Sequence, residues 1–225
     1  MILLAIDTAS ALCAACVYDS VARKVFGRAV LDLGKGHAEH LIGVVHDAMA
    51  QADVDFSALE RIAVAVGPGS FTGVRVGVSA ARGFAMALKI PAVGVTTLEA
   101  VAAEARETFG ARNVMAVLDG GRGEIHAAVY DEAGREIMAP MAMTLADAAR
   151  MALKHSALLA GSAAAAVAKE AGPEPRVGPE RATTDIRIYA ELGAAKQPGE
   201  KPKPLYLREA DAKPQAGFVL PRIRS

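Results

Sequence analysis

A glycine-rich turn between a predicted strand and a predicted helix is the segment best suited to chemistry. Residues 67–77 read GPGSFTGVRVG. The backbone N–H groups of such a turn can hold an anion at the helix N-terminus. The same residues can simply make the turn tight, because Gly accepts positive φ and Pro68 fixes its own φ. Ser70 is not placed as in the G-x-S-x-G motif of hydrolases, so it is predicted to cap the helix, as Thr72 also can.

Small residues recur every four positions along the helix that follows this turn. They are Gly73, Gly77, Ala81 and Ala85, and on a helix this spacing places them in one line. Glycine costs about 1 kcal/mol relative to alanine inside a helix, so two glycines indicate that another backbone comes close. From spacing alone, this stripe is either a tight crossing inside the fold or a surface for a partner helix.

A second candidate site is the polar turn after the first predicted strand, residues 7–10, which read DTAS. This turn resembles the first phosphate hairpin of sugar kinases, actin and Hsp70-type ATPases. Ala9 stands where those hairpins need Gly, which argues against ATP binding by this chain alone. Asp7 and Thr8 are candidate ligand-facing residues, although an ordinary hairpin with a local Asp7 turn bond also explains them.

Two further clusters of polar side chains carry weaker signals. His37 and His40 are three residues apart, whereas a zinc helix places two histidines four apart, so no metal site is predicted. A later hairpin turn holds Asp119, Arg122 and Glu124, which are candidate ligand-facing residues. Solvation of an ordinary charged turn explains these three equally well.

Composition limits the classes of function. The 225 residues are 52% hydrophobic but only 4% aromatic, which predicts a packed core of Ala, Val, Leu and Ile. The formal net charge of zero argues against a protein that binds nucleic acid without a partner. The apolar start reads as a first strand and not as a signal peptide, and no apolar run is long enough to predict a membrane span. Cys13 and Cys16 are predicted to be reduced, buried thiols, which indicates a cytoplasmic location.

Strands and helices alternate along the chain, which predicts an α/β fold. The predicted strands are residues 2–6, 12–18, 25–31, 62–66, 92–95, 114–118, 125–130 and 158–160. The predicted helices are residues 37–51, 72–88, 97–108, 145–154, 162–171 and 184–193.

Two lobes are predicted from this order of elements. Residues 1–108 form the first, and residues 109–225 form a smaller second lobe. The second lobe ends in a proline-rich tail, about 196–225, with seven Lys or Arg and three acidic residues. The tail is interpreted as a solvated extension or as a docking strap for a partner or RNA.

Several segments together resemble the TsaB (YeaZ) family of bacterial tRNA threonylcarbamoyladenosine biosynthesis proteins. The resemblance covers residues 1 to about 130 and returns near 204–213, and the GPGSFTG-x-R-x-G run is its most specific part. The matching segments are residues 4–10, 37–39, 67–77, 91–98, 119–124 and 204–208.

The resemblance implies a two-domain actin-like ATPase (ASKHA) fold and a non-catalytic role. TsaB-like proteins are paralogues of TsaD, which transfers a threonylcarbamoyl group to an adenosine beside the tRNA anticodon. The resemblance implies pairing with a TsaD-like transferase through helices of the first domain, addition of a TsaE-like ATPase, and homodimer formation. It also implies that tRNA is reached only through the complex, that the chain has no cofactor of its own, and that any ATP lies at the complex interface.

Combined with the small-residue stripe, the resemblance predicts a partner surface on two helices. A bulky charge at Gly77 is then expected to break pairing and leave the fold intact. Two alternatives stay open: an ATP-dependent small-molecule kinase, and a metallopeptidase, which would need the His pair of TsaD. The predicted surface residues are Leu41, Val45, Ala48, Gly73, Gly77, Ala81 and Ala85.

Overall fold

The computed structural model describes residues 1–207, which form two mixed sheets with helices packed on them. The strands are β1 (Ile2–Asp7), β2 (Leu12–Asp19), β3 (Lys24–Asp32), β4 (Arg61–Ala65), β5 (Ala92–Val95), β6 (Val114–Gly121), β7 (Glu124–Tyr130), β8 (Glu136–Thr144) and β9 (Leu158–Ala160). The helices are α1 (His37–Ala52), α2 (Phe71–Leu88), α3 (Thr97–Phe109), α4 (Leu145–Lys154), α5 (Ala164–Ala171) and α6 (Ile186–Ala195), with a 3-10 turn at Phe56–Ala58. No helix in this part of the chain is long and apolar enough to cross a bilayer.

The first sheet has the strand order β3-β2-β1-β4-β5. β1 pairs antiparallel with β2 and parallel with β4, so β1 lies at the centre of the sheet. Its residues Leu3 to Ile6 are fully buried. A strand that is buried on both faces reads as a continuous apolar run, and this is why β1 and β4 could be predicted.

Helices cover both faces of this sheet. Ala63 and Val64 are neighbours on β4, so their side chains point to opposite faces. A Cβ added at Gly77 of α2 would lie 3.6 Å from a Val64 methyl carbon, whereas one added at Gly193 of α6 would overlap the Ala63 side chain. α1 packs on β2 and β3, where Gly27 leaves room for its backbone. The central sheet is therefore enclosed between α1 and α2 on one side and α6 on the other.

The second sheet has the order β8-β7-β6-β9. β8 was not predicted from the sequence, and it contains Pro140. It lies at an edge of the sheet, where the missing proline N–H is tolerated. On one face, α3 packs Leu98, Val101 and Ala105 into a cluster with β6, so this helix links the two sheets.

The end of the described chain returns to the first sheet, which corrects the predicted second lobe of residues 109–225. α6 contributes Ile186 and Tyr189 to the core of the first sheet. Beyond it, the Leu205 backbone N–H donates to the Val66 carbonyl oxygen at 2.8 Å. The second lobe was assigned wrongly because long-range packing decides where the end of the chain lies, and local sequence patterns contain no information on such packing. Of the predicted tail, residues 196–207 lie against the first lobe and 208–225 lie outside the described residues.

The two cysteines are buried and free, as predicted. Burial raises the pKa of the Cys13 thiol to about 11 and that of the Cys16 thiol to about 12. At neutral pH both are therefore protonated thiols, and they act as small apolar side chains of the core.

Candidate functional site

The glycine-rich turn is held by contacts within the chain. The Ser70 hydroxyl accepts a hydrogen bond from the Gly73 N–H at 3.2 Å and caps α2, as predicted. The Ser70 N–H donates to the Ala9 carbonyl oxygen at 2.7 Å. A Cβ added at Gly69 would overlap the same Ala9 carbonyl. These contacts support the tight-turn interpretation, in which the turn packs against the β1–β2 hairpin.

The small-residue stripe lies inside the fold. A Cβ added at Gly73 would overlap the Thr8 carbonyl oxygen, and one added at Gly77 would overlap the Thr8 hydroxyl. The Thr8 hydroxyl donates to the Gly73 carbonyl oxygen at 2.7 Å, and Ala81 further along the stripe is fully buried. The structure therefore assigns the stripe to a close crossing of α2 over β4 and over the turn that follows β1.

This crossing corrects the predicted partner surface. Leu41, Val45 and Ala48 of α1 are each at most 2% exposed, because this face of the helix covers β2 and β3. Gly73, Gly77 and Ala81 are buried, and Ala85 is half-buried. A side chain that packs against the protein's own sheet is not available to a second protein.

The opposite face of α2 is exposed and carries its own series of positions. Helical residues advance by about 100° each, so positions offset by two from the stripe point almost directly away from it. We call this the exposed α2 face. Its members are Phe71, Arg75, Ser79 and Gly83, which have this offset, together with the exposed Arg82 and Met86 beside them.

This exposed side of the first lobe carries large apolar side chains and two glycines with empty space beside them. Met86 is 80% exposed and Phe71 is 57% exposed, while Ile42 on neighbouring α1 is 61% exposed. Gly83 on α2 and Gly43 on α1 lie within helices, and no atom lies within 4 Å of a Cβ added at either. Nothing inside the described chain therefore explains why these two positions are glycine.

An aromatic and cationic cluster lies at the N-terminal end of the exposed α2 face. The Arg75 guanidinium carbon lies 3.6 Å from the Phe71 ring centroid. The Arg75 Nε donates to the Tyr206 hydroxyl at 2.6 Å, and the rings of Phe71 and Tyr206 are 5.6 Å apart. The cluster ties the last described residues to α2. Arginine and tyrosine are enriched among residues that dominate binding at protein interfaces.

The polar turn after β1 is buried, whereas Asp7 and Thr8 were predicted as candidate ligand-facing residues. Asp7 is 1% exposed and Thr8 is fully buried. One Asp7 oxygen accepts from the Ala9 N–H at 2.8 Å, and the other accepts from the Thr183 hydroxyl at 2.6 Å. The Thr183 hydroxyl also lies 2.9 Å from the Tyr189 hydroxyl. The hydrogen bond between Asp7 and Thr183 thus holds the segment before α6 against the central strand of the first sheet.

Burial makes the stability of this arrangement depend on pH. Desolvation raises the pKa of Asp7 above its ordinary value of 3.8, although the hydrogen bonds from Thr183 and Ala9 and the charge of His37 act in the opposite direction. Because the pKa is higher in the folded state than in the unfolded state, the folded state favours the protonated acid. This contribution is complete below the unfolded-state pKa and is lost as the pH rises through the folded-state pKa.

Asp7→Asn is therefore expected to be at least as stable as the wild type at neutral pH. The asparagine oxygen can accept from Ala9, its amide can donate to Thr183, and no charge is buried. Its advantage over the wild type should shrink as the pH falls towards 4. Urea unfolding of both proteins at pH 7 and pH 4 measures this; a variant that is less stable by the same amount at both pH values would contradict it.

The other predicted turn lies on the second sheet, at the β6–β7 hairpin. One Asp119 oxygen accepts from the Gly121 N–H at 2.8 Å, and the Asp119 N–H donates to the Ser162 hydroxyl at 3.1 Å. Asp119 and Arg122 are exposed and Glu124 is half-buried. Their role in binding stays a prediction. Within residues 1–207, no three His, Cys, Asp or Glu side chains are grouped so as to hold a metal ion.

Two helix-covered sheets with these connections define a two-domain protein of the actin-like ATPase (ASKHA) class. YeaZ from Pseudomonas aeruginosa superposes with a TM-score of 0.75 at 25% identity, covering 92% of this chain and 99% of that one. A polyphosphate/ATP-glucomannokinase from Arthrobacter shares the fold, with a TM-score of 0.51 at 13% identity over 87% of this chain and 99% of that one.

Residues 32–189 match the family model described as TsaD, tRNA N6-adenosine threonylcarbamoyltransferase. The chain belongs to this family and, within it, to the TsaB (YeaZ) group. It is 34% identical to Escherichia coli TsaB over 137 residues, which cover 60% of this chain and only 58% of that protein. An uncharacterized Mycobacterium tuberculosis protein is 34% identical over 223 residues, 95% of this chain and 94% of that one.

Proposed function

We propose that the chain is a non-catalytic activating subunit in the formation of threonylcarbamoyladenosine beside the tRNA anticodon. In this proposal it pairs with a TsaD-like transferase, and a TsaE-like ATPase joins the pair. The TsaB relatives support the pathway, since their names describe tRNA threonylcarbamoyladenosine biosynthesis proteins. The proposed site of action is the cytoplasm, and tRNA is reached only through the complex.

The observation that carries the pairing step is the exposed side of α1 and α2. A Cβ added at Gly83 or Gly43 on this side would meet no atom of the described chain within 4 Å, and Met86 and Ile42 project from it as exposed apolar side chains. A glycine in a helix costs about 1 kcal/mol relative to alanine, and close approach of a partner helix is a use that offsets this cost. Homodimers and the heterodimer are proposed to compete for this same side of the lobe.

The environment of Asp7 supports the non-catalytic part of the proposal. In a kinase-like site, the carboxylate after the first strand must face the nucleotide. Here both Asp7 oxygens accept hydrogen bonds from the chain itself, and the Thr8 hydroxyl is bonded to Gly73. We therefore propose that the chain needs no cofactor of its own and that any ATP binds where it meets the transferase.

The test is threonylcarbamoyl transfer to tRNA by the TsaD-like and TsaE-like proteins of the same organism, with and without this chain. Transfer that depends on the chain is the expected result. Unchanged transfer would refute the activating role. Purified chain alone is assayed in parallel for ATP binding and phosphotransfer, and turnover there would favour the kinase alternative.

A further inference from the structure

A groove of about 560 Å³ lies at the C-terminal end of the exposed α2 face, between α2 and the chain segment 199–202. Its floor is apolar, and it is continuous with the exposed α2 face because Ser79, Gly83 and Met86 belong to both. The apolar lining residues are Ala85, Met86, Ile90, Pro91, Ala92 and Pro202.

Two cationic side chains line this groove. Arg82 and Lys201 both line it, and neither forms an ion pair with any residue in the described part of the chain. Within residues 1–207, no acidic side chain lines the groove. The neighbouring Glu200 is held by Lys203, with 2.7 Å between Oε2 and Nζ. The charged side chains that line the groove within the described part of the chain are therefore both positive.

The wall formed by residues 199–202 is anchored on both sides, so the groove exists before anything binds. Pro202 is buried, and it lies 3.5 Å from a Cβ added at Gly94 of β5. Just before the wall, the Lys196 ammonium donates to the Gly94 carbonyl oxygen at 3.0 Å and to Glu99 at 2.6 Å. A preformed site avoids the entropy cost of ordering a loop on binding.

We propose that this groove receives an acidic segment of the TsaD-like partner. An apolar side chain of that segment fills the floor beside Met86 and Ile90, and its carboxylates pair with Arg82 and Lys201. The inference rests on the proposed function and deepens it, because it states the chemistry that the partner presents at one end of the shared surface. Charge complementarity at an interface selects the partner and fixes the register of docking.

Charge reversal tests the electrostatic part. The double variant Arg82→Glu/Lys201→Glu is expected to weaken binding of the TsaD-like partner at least tenfold at low salt. The dependence of Kd on salt should become flatter than in the wild type, because two attractive pairs have been removed. The matched control is Lys154→Glu/Lys169→Glu, which makes the same charge change at exposed helix positions of the second lobe.

A zero-length cross-link tests the contact directly. A carbodiimide activates a carboxylate of the partner, the Lys201 amine attacks it, and an amide forms as the carbodiimide leaves as a urea with the carboxylate oxygen. Mass spectrometry is expected to find Lys201 joined to an Asp or Glu of the partner. Lys201→Arg keeps the positive charge but removes the reactive amine, so that peptide pair should disappear.

The outcomes separate this inference from the function on which it rests. If the wild type supports transfer but the double variant binds as tightly as the control, the acidic segment does not occupy the groove. Cross-links from other lysines in place of Lys201 would overturn the inference in the same way. If the wild type neither binds the transferase nor supports transfer, the proposed function itself fails, and this inference fails with it.

Discussion

Gly77→Arg is expected to unfold the protein. The position faces the turn after β1 from inside the crossing of α2, and even a Cβ there would overlap the Thr8 hydroxyl. Thr8 cannot move away easily, because that hydroxyl is bonded to the Gly73 carbonyl oxygen and the residue is fully buried. A buried arginine adds an unpaired charge to this clash, so the cost should exceed about 5 kcal/mol, the lower end of the stability of a domain.

A milder pair of alanine variants makes the same point quantitatively. Gly73→Ala should destabilise the fold by about 1–3 kcal/mol or more, because its Cβ would meet the Thr8 backbone carbonyl. Gly83→Ala in the same helix should stabilise it by about 0.5–1 kcal/mol, since the space there is empty. Urea unfolding of both variants gives the two free energies. Equal effects would show that the two faces of α2 do not differ as described.

The sequence revealed the stripe but not which side of the helix stays exposed. Gly73 and Gly77 have the spacing of a close crossing, and this spacing is the same whether the second backbone belongs to the protein or to another molecule. Arg75, Ser79 and Gly83 form a second series with the same four-residue spacing, on the other side of the helix. Only the packed structure shows which of the two series meets Thr8.

Gly83→Arg is expected to leave the fold intact and to abolish pairing with the TsaD-like transferase. The side chain would project into solvent from the exposed α2 face, so the free protein should unfold at nearly the wild-type urea concentration. At an interface of closely packed helices it would prevent contact near the centre. We expect affinity to fall by about 100-fold or more, which corresponds to about 2.8 kcal/mol.

Isothermal titration of the transferase with wild-type and Gly83→Arg proteins measures this loss, and the tRNA transfer assay should fall in parallel. Gly83→Ala should weaken binding less than the arginine variant, because it adds only a methyl group to the same position. Ala165→Arg, at an exposed position of α5 in the second lobe, serves as the control. Wild-type affinity in the arginine variant would place the transferase elsewhere on the molecule. Unfolding of the arginine variant would contradict the exposure of this position.

Local patterns predicted the strands well and the long-range contacts poorly. The central strands could be predicted because buried runs such as residues 62–66 have no polar interruption. β8 was missed because Pro140 and polar ends hide the pattern of an edge strand. The predicted helix 97–108 agrees with α3 (Thr97–Phe109), and the Thr96 hydroxyl caps it by accepting a hydrogen bond from the Glu99 N–H at 3.0 Å. Local patterns locate a helix end only to within one or two residues.

The candidate site was harder to predict because its identity depends on which surfaces remain uncovered. Asp7 lies in a turn that is typical of a ligand site, yet its second carboxylate oxygen accepts a hydrogen bond from the hydroxyl of Thr183, 176 residues later in the chain. In the same way, Lys201 gains its place beside Arg82 only because the chain returns past β5. Neither neighbour is close in sequence, so no local spacing could indicate them.

The return of α6 and residues 196–207 to the first sheet sets the order in which the protein can form during synthesis. All five strands of that sheet leave the ribosome long before Tyr189 and Leu205, which complete its packing. At about 5–20 residues per second, the delay between Val95, the end of the last strand, and Gly193, which packs on Ala63, is roughly five to twenty seconds. Throughout this interval the nascent chain presents the apolar Ala63 face of its central sheet to water, where chaperones that recognise such surfaces can bind it.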